Sequence, residues 1–280
     1  MNIFEALKKG DNILKKNGIK SYKLDSEILM SKVFQKNRIA IILNSNKNLS
    51  DKEIIHYNNL IEQRSKKKPI AYLIGKKEFW KYEFDVNKDV LIPRPDTEII
   101  IEQTLKLTKN KSRLKILDIG IGSGCILLSI LKERKSFYGT GVDISKKTLD
   151  ICMVNAKKLN LKDRIRLFKS DIDNFNYGKY DLIVSNPPYI KKFDLKYMEK
   201  DVFGYEPLSA LDGGLDGLFE ITKVIYNSSK LIKKNGVLIL EIAYNQTDNV
   251  KKILRNNGYY IKDVAKDLAK NNRCIVSIKI

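Results

Sequence analysis

Apolar residues in the first part of the chain recur at helical spacing. Phe4, Leu7, Ile13 and Leu14 form one set, and Ile28, Leu29 and Val33 form another within Leu24 to Phe34. Ser50-Asp51-Lys52-Glu53 matches a capping box, in which a serine oxygen takes an orphan backbone N–H and a glutamate reaches back. It opens a predicted helix through Ile54, Leu60 and Ile61. Residues 1–75 therefore read as a small helical bundle. From Phe79 to Ile92 the period changes. Phe79-Trp80-Lys81-Tyr82-Glu83-Phe84-Asp85-Val86 is aromatic and β-prone, so residues 76–92 are expected to carry a β-hairpin linker. Pro93-Arg94-Pro95-Asp96-Thr97-Glu98 interrupts the pattern, and a helix follows through Ile100, Ile101, Leu105 and Leu107.

Residues 93–280 alternate strand and helix. Predicted strands are Leu114–Ile119, Phe137–Val142, Arg164–Phe168, Leu182–Val184, Val237–Ile242, Tyr259–Val264 and Cys274–Ile280. Predicted helices are Cys125–Leu131, Lys147–Leu159, Gly217–Leu231 and Gln246–Asn256. Such alternation specifies an α/β domain, with a mainly parallel sheet covered on both faces. Right-handed crossovers collect the loops after the strands on one edge, where ligands bind in open sheets.

Composition narrows the function. With 280 residues and 43% hydrophobic residues, two domains with real cores are affordable. No run of about 18 apolar residues could span a membrane, and the charged start, Met1 to Lys20, has no apolar segment typical of a signal peptide. Three widely spaced cysteines, Cys125, Cys152 and Cys274, fit a reducing cytoplasm better than a disulfide or zinc framework. One histidine, His56, argues against His-rich metal sites and a Ser-His-Asp triad, and no metal is expected. The net charge of +20 is open to two readings, a polyanionic or acidic partner or a lysine-rich bias spread over the chain, and does not choose between nucleic acid and protein.

Asp118, Gly120, Ile121, Gly122, Ser123 and Gly124 fall between the first predicted strand of the sheet and its helix. Glycines let the backbone turn tightly and approach a ligand. Alone, a glycine-rich loop is weak, because dinucleotide enzymes use a similar turn. Here the spacing is G-x-G-x-G, and an acid precedes it. A carboxylate repels a pyrophosphate but suits S-adenosylmethionine, whose methionine end carries an ammonium and a sulfonium. Asp143 ends the second strand and can accept from ribose hydroxyls. Asp171, at the end of the third, is placed to accept from the adenine amino group, with Ile172 packing on the ring. Singly, each aspartate is as consistent with a helix cap or a solvated surface; three at successive strand ends point to the cofactor.

Asn186-Pro187-Pro188-Tyr189 leaves the fourth strand beside the glycine loop. A proline-stiffened turn with a packed tyrosine is the plain structural reading. The chemical reading is that the Asn186 side-chain oxygen and the Pro187 carbonyl each accept one N–H of a planar amino group. Those acceptors hold a delocalised nitrogen with its lone pair turned towards a methyl donor, the prolines pre-aim them, and Tyr189 packs on the flat target. The expected catalytic residues are Asn186, Pro187 and Tyr189, with Pro188 completing the substrate contacts and Asn186 also bordering the cofactor. The motif suits both adenine N6 and glutamine amides.

The chain as a whole resembles the release-factor glutamine methyltransferase family. Pro69 to Gly75 with Glu78-Phe79 is similar to that family's linker. Leu91 to Glu98 is similar to its signature, with Asp96 where glutamate is usual, and Glu206 to Leu218 to a second signature. Glu241-Ile242 and Gln246 also match, with Ala243 in place of an expected glycine. The resemblance implies a Rossmann-like seven-stranded class I methyltransferase domain at 93–280 and an N-terminal helical substrate-recognition domain at 1–75. It implies S-adenosylmethionine as cofactor, leaving as S-adenosylhomocysteine. It also implies the glutamine of a Gly-Gly-Gln loop in peptide chain release factors as substrate, with nucleic acid not required. In this reading Gly120 to Gly124, Asp143 and Ile172 contact the cofactor and Asn186 to Tyr189 contact the glutamine, while Arg94 to Glu98 either border the pocket or form a purely structural turn. The alternatives are an adenine-N6 methyltransferase of DNA or RNA, which needs a target-recognition domain or a concentrated basic face, and a binding module without catalysis, which predicts erosion of the motifs.

Overall fold

The computed structural model describes Met1 to Ile280, the side chain of Lys200 excepted. Two compact units are present, Met1–Lys76 with Glu199–Tyr205, and Lys77–Met198 with Glu206–Ile280.

The first unit contains α1 (Ile3–Lys16), α2 (Tyr22–Phe34), α3 (Arg38–Leu43), α4 (Asp51–Ser65) and α5 (Ile70–Ile74). The capping box at α4 forms: Ser50 N–H donates to Glu53 Oε2 at 2.8 Å, and Ser50 Oγ accepts from Glu53 N–H at 3.4 Å. A second box starts α1, where Asn2 and Glu5 exchange hydrogen bonds of 2.9 Å each. The inward stripe of α1 is Ile3, Ala6, Gly10 and Leu14. Ile3 takes the core position expected of Phe4, which is 59% exposed, because neighbours on a helix point about 100° apart. Leu29, Met30, Ile41, Tyr57, Leu60 and Ile61 complete this core. Within it Asp25 Oδ2 accepts from Arg64 Nε at 2.7 Å, and Ser26 and Tyr57 share a hydroxyl hydrogen bond of 2.8 Å.

Next comes the hairpin β1 (Lys76–Phe79) and β2 (Tyr82–Asp85), which belongs to the second unit from Lys77 on. This hairpin starts where expected and is shorter than the 76–92 linker. Residues 86–92 are not strand, because Asn87 makes a turn: its carbonyl accepts from Val90 N–H at 3.2 Å and its side chain from Asp89 N–H at 2.9 Å. Then follow α6 (Glu98–Leu107), β3 (Lys115–Ile119), α7 (Cys125–Glu133), β4 (Tyr138–Asp143), α8 (Lys146–Lys158), β5 (Ile165–Lys169) and β6 (Tyr180–Ser185). After α9 (Lys200–Phe203), which belongs to the first unit, come α10 (Phe219–Leu231), β7 (Ile232–Glu241), α11 (Thr247–Asn256), β8 (Tyr259–Lys266) and β9 (Asn272–Lys279).

The seven-stranded sheet has the order β5-β4-β3-β6-β7-β9-β8. It is parallel except for β9, which runs antiparallel to both neighbours. Successive side chains of a strand face opposite sides. Thus Ile116, Leu182 and Val184 join one buried cluster with α6 and α7 residues such as Ile100 and Leu128. Leu117 and Ile183 join the other, with Ile225 and Leu254 from α10 and α11. β7 starts at Ile232, five residues before the expected Val237, and its pairing with β6 shifts register between Tyr180 and Leu182.

Candidate active site

β3 and β6 are neighbours in the middle of the sheet and end side by side, where Ser185 Oγ donates to the Ile119 carbonyl at 2.7 Å. This contact puts the glycine loop and the Asn-Pro-Pro-Tyr loop at one edge. A cavity of ≈ 600 Å³ opens there, lined by Gly120, Gly122, Asp143, Asp171, Ile172, Asn186, Pro187 and Pro188 among others.

The remaining loop residues serve the scaffold. Ile121 is buried and does not line the cavity. It packs over β4, where a Cβ on Gly141 would come 2.1 Å from Ile121 Cδ1, so glycine at 141 is what makes room for it. Ser123 is also buried, and its carbonyl accepts from Asn155 Nδ2 at 2.9 Å. Gly124 leads into α7 at φ 83°. Asn155 additionally exchanges hydrogen bonds with the Asp85 backbone, at 2.7 and 3.0 Å, and so ties the loop to the hairpin. No sequence motif marked Asn155, nor the cavity wall at Lys88, Asp89 and Val90.

The three aspartates occupy different environments. Asp118 is fully buried, and neither carboxylate oxygen has a hydrogen-bond partner among the described residues. Burial pushes its pKa up to about 7. Asp143 reaches the cavity while accepting from Gly122 N–H at 3.2 Å and Ser145 N–H at 3.0 Å. Burial raises it, and those N–H groups restrain the shift. Asp171 does not end a strand. β5 stops at Lys169, and Asp171 caps the turn Ile172–Asn174, its side chain accepting from Asp173 N–H at 3.0 Å. That N–H and the Lys223 ammonium 3.3 Å away hold Asp171 below the usual carboxylate range. Its carboxylate at the cavity wall is therefore already engaged by protein groups.

Asn186, Pro187 and Pro188 line the cavity and Tyr189 does not. The Tyr189 ring packs against the buried cluster on one face of the sheet, and its hydroxyl donates to Glu241 Oε1 at 3.2 Å. A buried phenol needs such a partner, so the packing role expected on the target group gives way to a role in holding the loop. Residues of the second sequence signature close over the same loop. Ile190 and Asp212 form a bridge. Gly217, at φ 77°, lies where a Cβ would come 2.5 Å from the Tyr189 carbonyl oxygen. Ala243, which stands where glycine was expected, has φ −70° and ψ 146°, open to any residue.

Arg94 to Glu98 form a junction. Arg94 pairs with the buried Glu206, which also accepts from Ile92 N–H at 3.1 Å. Asp96 lies 3.6 Å from Arg273. Thr97 Oγ1 accepts from Asn186 Nδ2 at 3.2 Å. Glu98 Oε1 accepts from Trp80 N–H at 2.6 Å. Glu241, at the end of β7, is fully buried with Oε2 unpartnered among the described residues. Burial pushes its pKa up to about 7, while the Thr97 hydroxyl, Arg273 and Tyr189 pull it down.

This strand order, with a glycine loop after β3, an aspartate at the end of β4 and Asn-Pro-Pro-Tyr after β6, defines a class I methyltransferase fold. A methyltransferase from Pyrococcus furiosus has the same fold, with a TM-score of 0.52 and 17% identity over 70% of this chain and 88% of that one. Residues 5–75 match the family model described as PrmC N-terminal domain, and residues 96–203 the methyltransferase small domain. The chain is 36% identical to the release factor glutamine methyltransferase of Clostridium acetobutylicum, over 100% of this chain and 99% of that protein. It is 38% identical to the one of Clostridium botulinum, over 100% of both. The chain belongs to the release factor glutamine methyltransferase family.

Proposed function

We propose that this protein transfers a methyl group from S-adenosylmethionine to the side-chain amide nitrogen of the glutamine in the Gly-Gly-Gln loop of peptide chain release factors. The observation that carries this reading is the presence of Asn186, Pro187 and Pro188 on the wall of the cavity that Gly120, Gly122 and Asp143 also line, in a chain that matches release factor glutamine methyltransferases end to end.

The residues present suit the cofactor. Asp118 is buried and does not itself line the cavity, so in this assignment its carboxylate would favour a cationic amino acid end through charge rather than by a wall contact. Gly120 and Gly122 leave backbone exposed at the cavity wall, Asp143 offers a carboxylate to the ribose, and Ile172 with Val142 and Ile144 gives an apolar surface for the adenine. Asp171, Ile121, Ser123 and Gly124 act in this assignment by shaping and charging that wall. Bound S-adenosylmethionine supplies an electrophilic methyl group.

The chain's own residues do the rest. Asn186 Oδ1 and the Pro187 carbonyl accept the two N–H bonds of the target amide, which fixes its plane and orients its lone pair. Dipoles held by Pro187 and Pro188 need no reorganisation as positive charge grows on the nitrogen. The methylated nitrogen is acidic and loses its proton without a dedicated base. Residues 1–75 would act as the substrate-recognition domain, 76–92 as linker and 93–280 as the catalytic domain. No helix among the described residues is long and apolar enough to cross a membrane, and we assign the enzyme to the cytoplasm, acting without nucleic acid.

The test is incubation with methyl-labelled S-adenosylmethionine and unmethylated release factor, followed by mass analysis of the Gly-Gly-Gln peptide. One added methyl on that glutamine, lost with Asn186→Ala, is expected. Label on nucleic acid offered in parallel, with none on release factor, would replace this reading with the adenine-N6 alternative.

A further inference from the structure

A glycine loop binds a ligand well only if it is held in one shape beforehand. Glycine gives up more conformational freedom on ordering than any other residue, and freedom left in the free protein is lost again as affinity when the ligand binds. The loop from Gly120 to Gly124 is held at its start by the Val142 carbonyl, which accepts from Gly120 N–H at 2.9 Å and from Ile121 N–H at 3.1 Å. Its middle is held by Asp143, which accepts from Gly122 N–H at 3.2 Å. Both fastenings come from β4 and act on N–H groups. The exit of the loop, just before α7, is fastened from elsewhere.

That fastening is supplied by α8. Cys152 and Asn155 lie three residues apart on one face of this helix, and both are fully buried. Cys152 packs against Gly124, where a Cβ would come 2.7 Å from Cys152 Sγ. Asn155 Nδ2 donates to the Ser123 carbonyl at 2.9 Å and to the Asp85 carbonyl at 3.0 Å, while Asn155 Oδ1 accepts from Asp85 N–H at 2.7 Å. All three partners are backbone groups. A short amide side chain offers two N–H bonds and an acceptor in one plane; aspartate has no such donors when ionised, and leucine has neither donor nor acceptor. The two ends of the Asn155 amide cannot be exchanged, because Asp85 N–H requires an acceptor and the two carbonyls require donors. Asp85 is itself anchored: its carboxylate pairs at 2.8 Å with Lys158, three residues further along α8. Beyond the hairpin the same helix holds the chain again, where Thr148 Oγ1 donates to the Asp89 carbonyl at 2.8 Å.

We infer that Asn155 is a positioning residue of the cofactor site, which sets the exit of the glycine loop against the Asp85 backbone and so makes the hairpin an anchor of that loop. Asn155 does not line the cavity; it acts through Ser123. The inference rests on the reading that the glycine loop holds S-adenosylmethionine, and it deepens that reading by naming what fixes the shape of the loop.

The experiment compares Asn155→Leu, nearly isosteric and without hydrogen bonds, with Asn155→Asp, which keeps an acceptor for Asp85 N–H and loses the donors to Ser123. Ser228→Ala controls for lost stability, since it removes a buried hydroxyl that shares a hydrogen bond of 2.9 Å with Tyr259 on the opposite face of the sheet. For each protein, affinities for S-adenosylmethionine and S-adenosylhomocysteine are measured by calorimetry, kcat and both KM values by methyl transfer to release factor, and stability by urea denaturation. Both Asn155 variants should bind cofactor and product about 10-fold more weakly, because the loop must be ordered on binding. KM for release factor, and kcat at saturating cofactor, should stay within about 3-fold. Ser228→Ala should lose stability and keep cofactor affinity. Unchanged cofactor affinity in the folded Asn155 variants would overturn the inference and leave Asn155 to folding, and so would an equal loss of affinity in Ser228→Ala. If neither Asn155 variant folds, NMR of the wild type decides: Asn155 Nδ2 protons should be protected from exchange in the cofactor-free protein and should shift when S-adenosylmethionine is added. An unprotected side-chain amide, or one that does not shift, would overturn the inference. A wild type that binds no S-adenosylmethionine would discard the cofactor reading and this inference with it, whereas wild-type binding with unaffected variants would discard the inference alone.

Discussion

The side-chain amide of Gln246 donates to the Tyr189 carbonyl at 3.1 Å and to the Gly217 carbonyl at 2.9 Å, so one side chain clamps the Asn-Pro-Pro-Tyr loop to the segment that covers it. Its oxygen accepts from Ala243 N–H at 3.0 Å, which anchors the clamp at the end of the sheet. Replacing Gln246 by alanine strands these backbone groups. The expected cost is about 1–3 kcal/mol of stability, with kcat lower by about 10-fold as the loop loosens. Urea denaturation and methyl-transfer rates check both. Unchanged turnover in a measurably destabilised variant would confine Gln246 to folding.

Asp143 lines the cavity and accepts from the backbone N–H groups of Gly122 and Ser145. Asp143→Ala removes the charge proposed to face the ribose. Hydrogen bonds to charged groups are worth about 1.5–3 kcal/mol. Calorimetry should therefore show S-adenosylmethionine bound about 10- to 100-fold more weakly. Affinity within a factor of about 2 would remove Asp143 from the cofactor site.

In the helical unit the Arg64 and Asp25 side chains are 9% and 4% exposed. Arg64→Met leaves the Asp25 carboxylate buried without its counter-charge, at an expected cost of about 3–5 kcal/mol. The double variant with Asp25→Leu should recover most of it, because no charge then remains to be desolvated. A shift in the chemical denaturation midpoint reports both values, and a single-variant loss under about 1 kcal/mol would contradict the argument.

Asp118 and Glu241 give stability a defined pH dependence. Both carboxyls are raised to about 7 by burial. In the unfolded chain they ionise near pH 4. Between about pH 4 and 7 the folded state therefore holds protons that the unfolded state has released, and stability falls as pH rises through this window. Asp118→Asn, which cannot ionise, should flatten the fall by an amount on the order of 2 kcal/mol between pH 5 and pH 8. Denaturant titrations at the two pH values measure it, and parallel curves for wild type and variant would show that Asp118 ionises freely.

Much of this molecule is written in short-range pattern. The apolar run Leu182–Val184 marked the fourth strand of the sheet, found as β6. Ser50 and Glu53 specified the start of α4, and Gly120 and Gly122 announced a cavity wall. In each case the cause lies within a few residues along the chain, where backbone geometry and turn chemistry act. Tertiary structure decided what depends on distant partners. It chose Ile3 over Phe4 for the core and turned Tyr189 from the cavity to Glu241. It joined Arg94 to Glu206 across 112 residues, Thr97 to Asn186 across 89 and Asn155 to Asp85 across 70. A buried polar atom accepts any complementary group that packing brings within about 3 Å. Which group arrives is set by how the strands pair and the helices cover them, so the motifs could be read locally while their wiring could not.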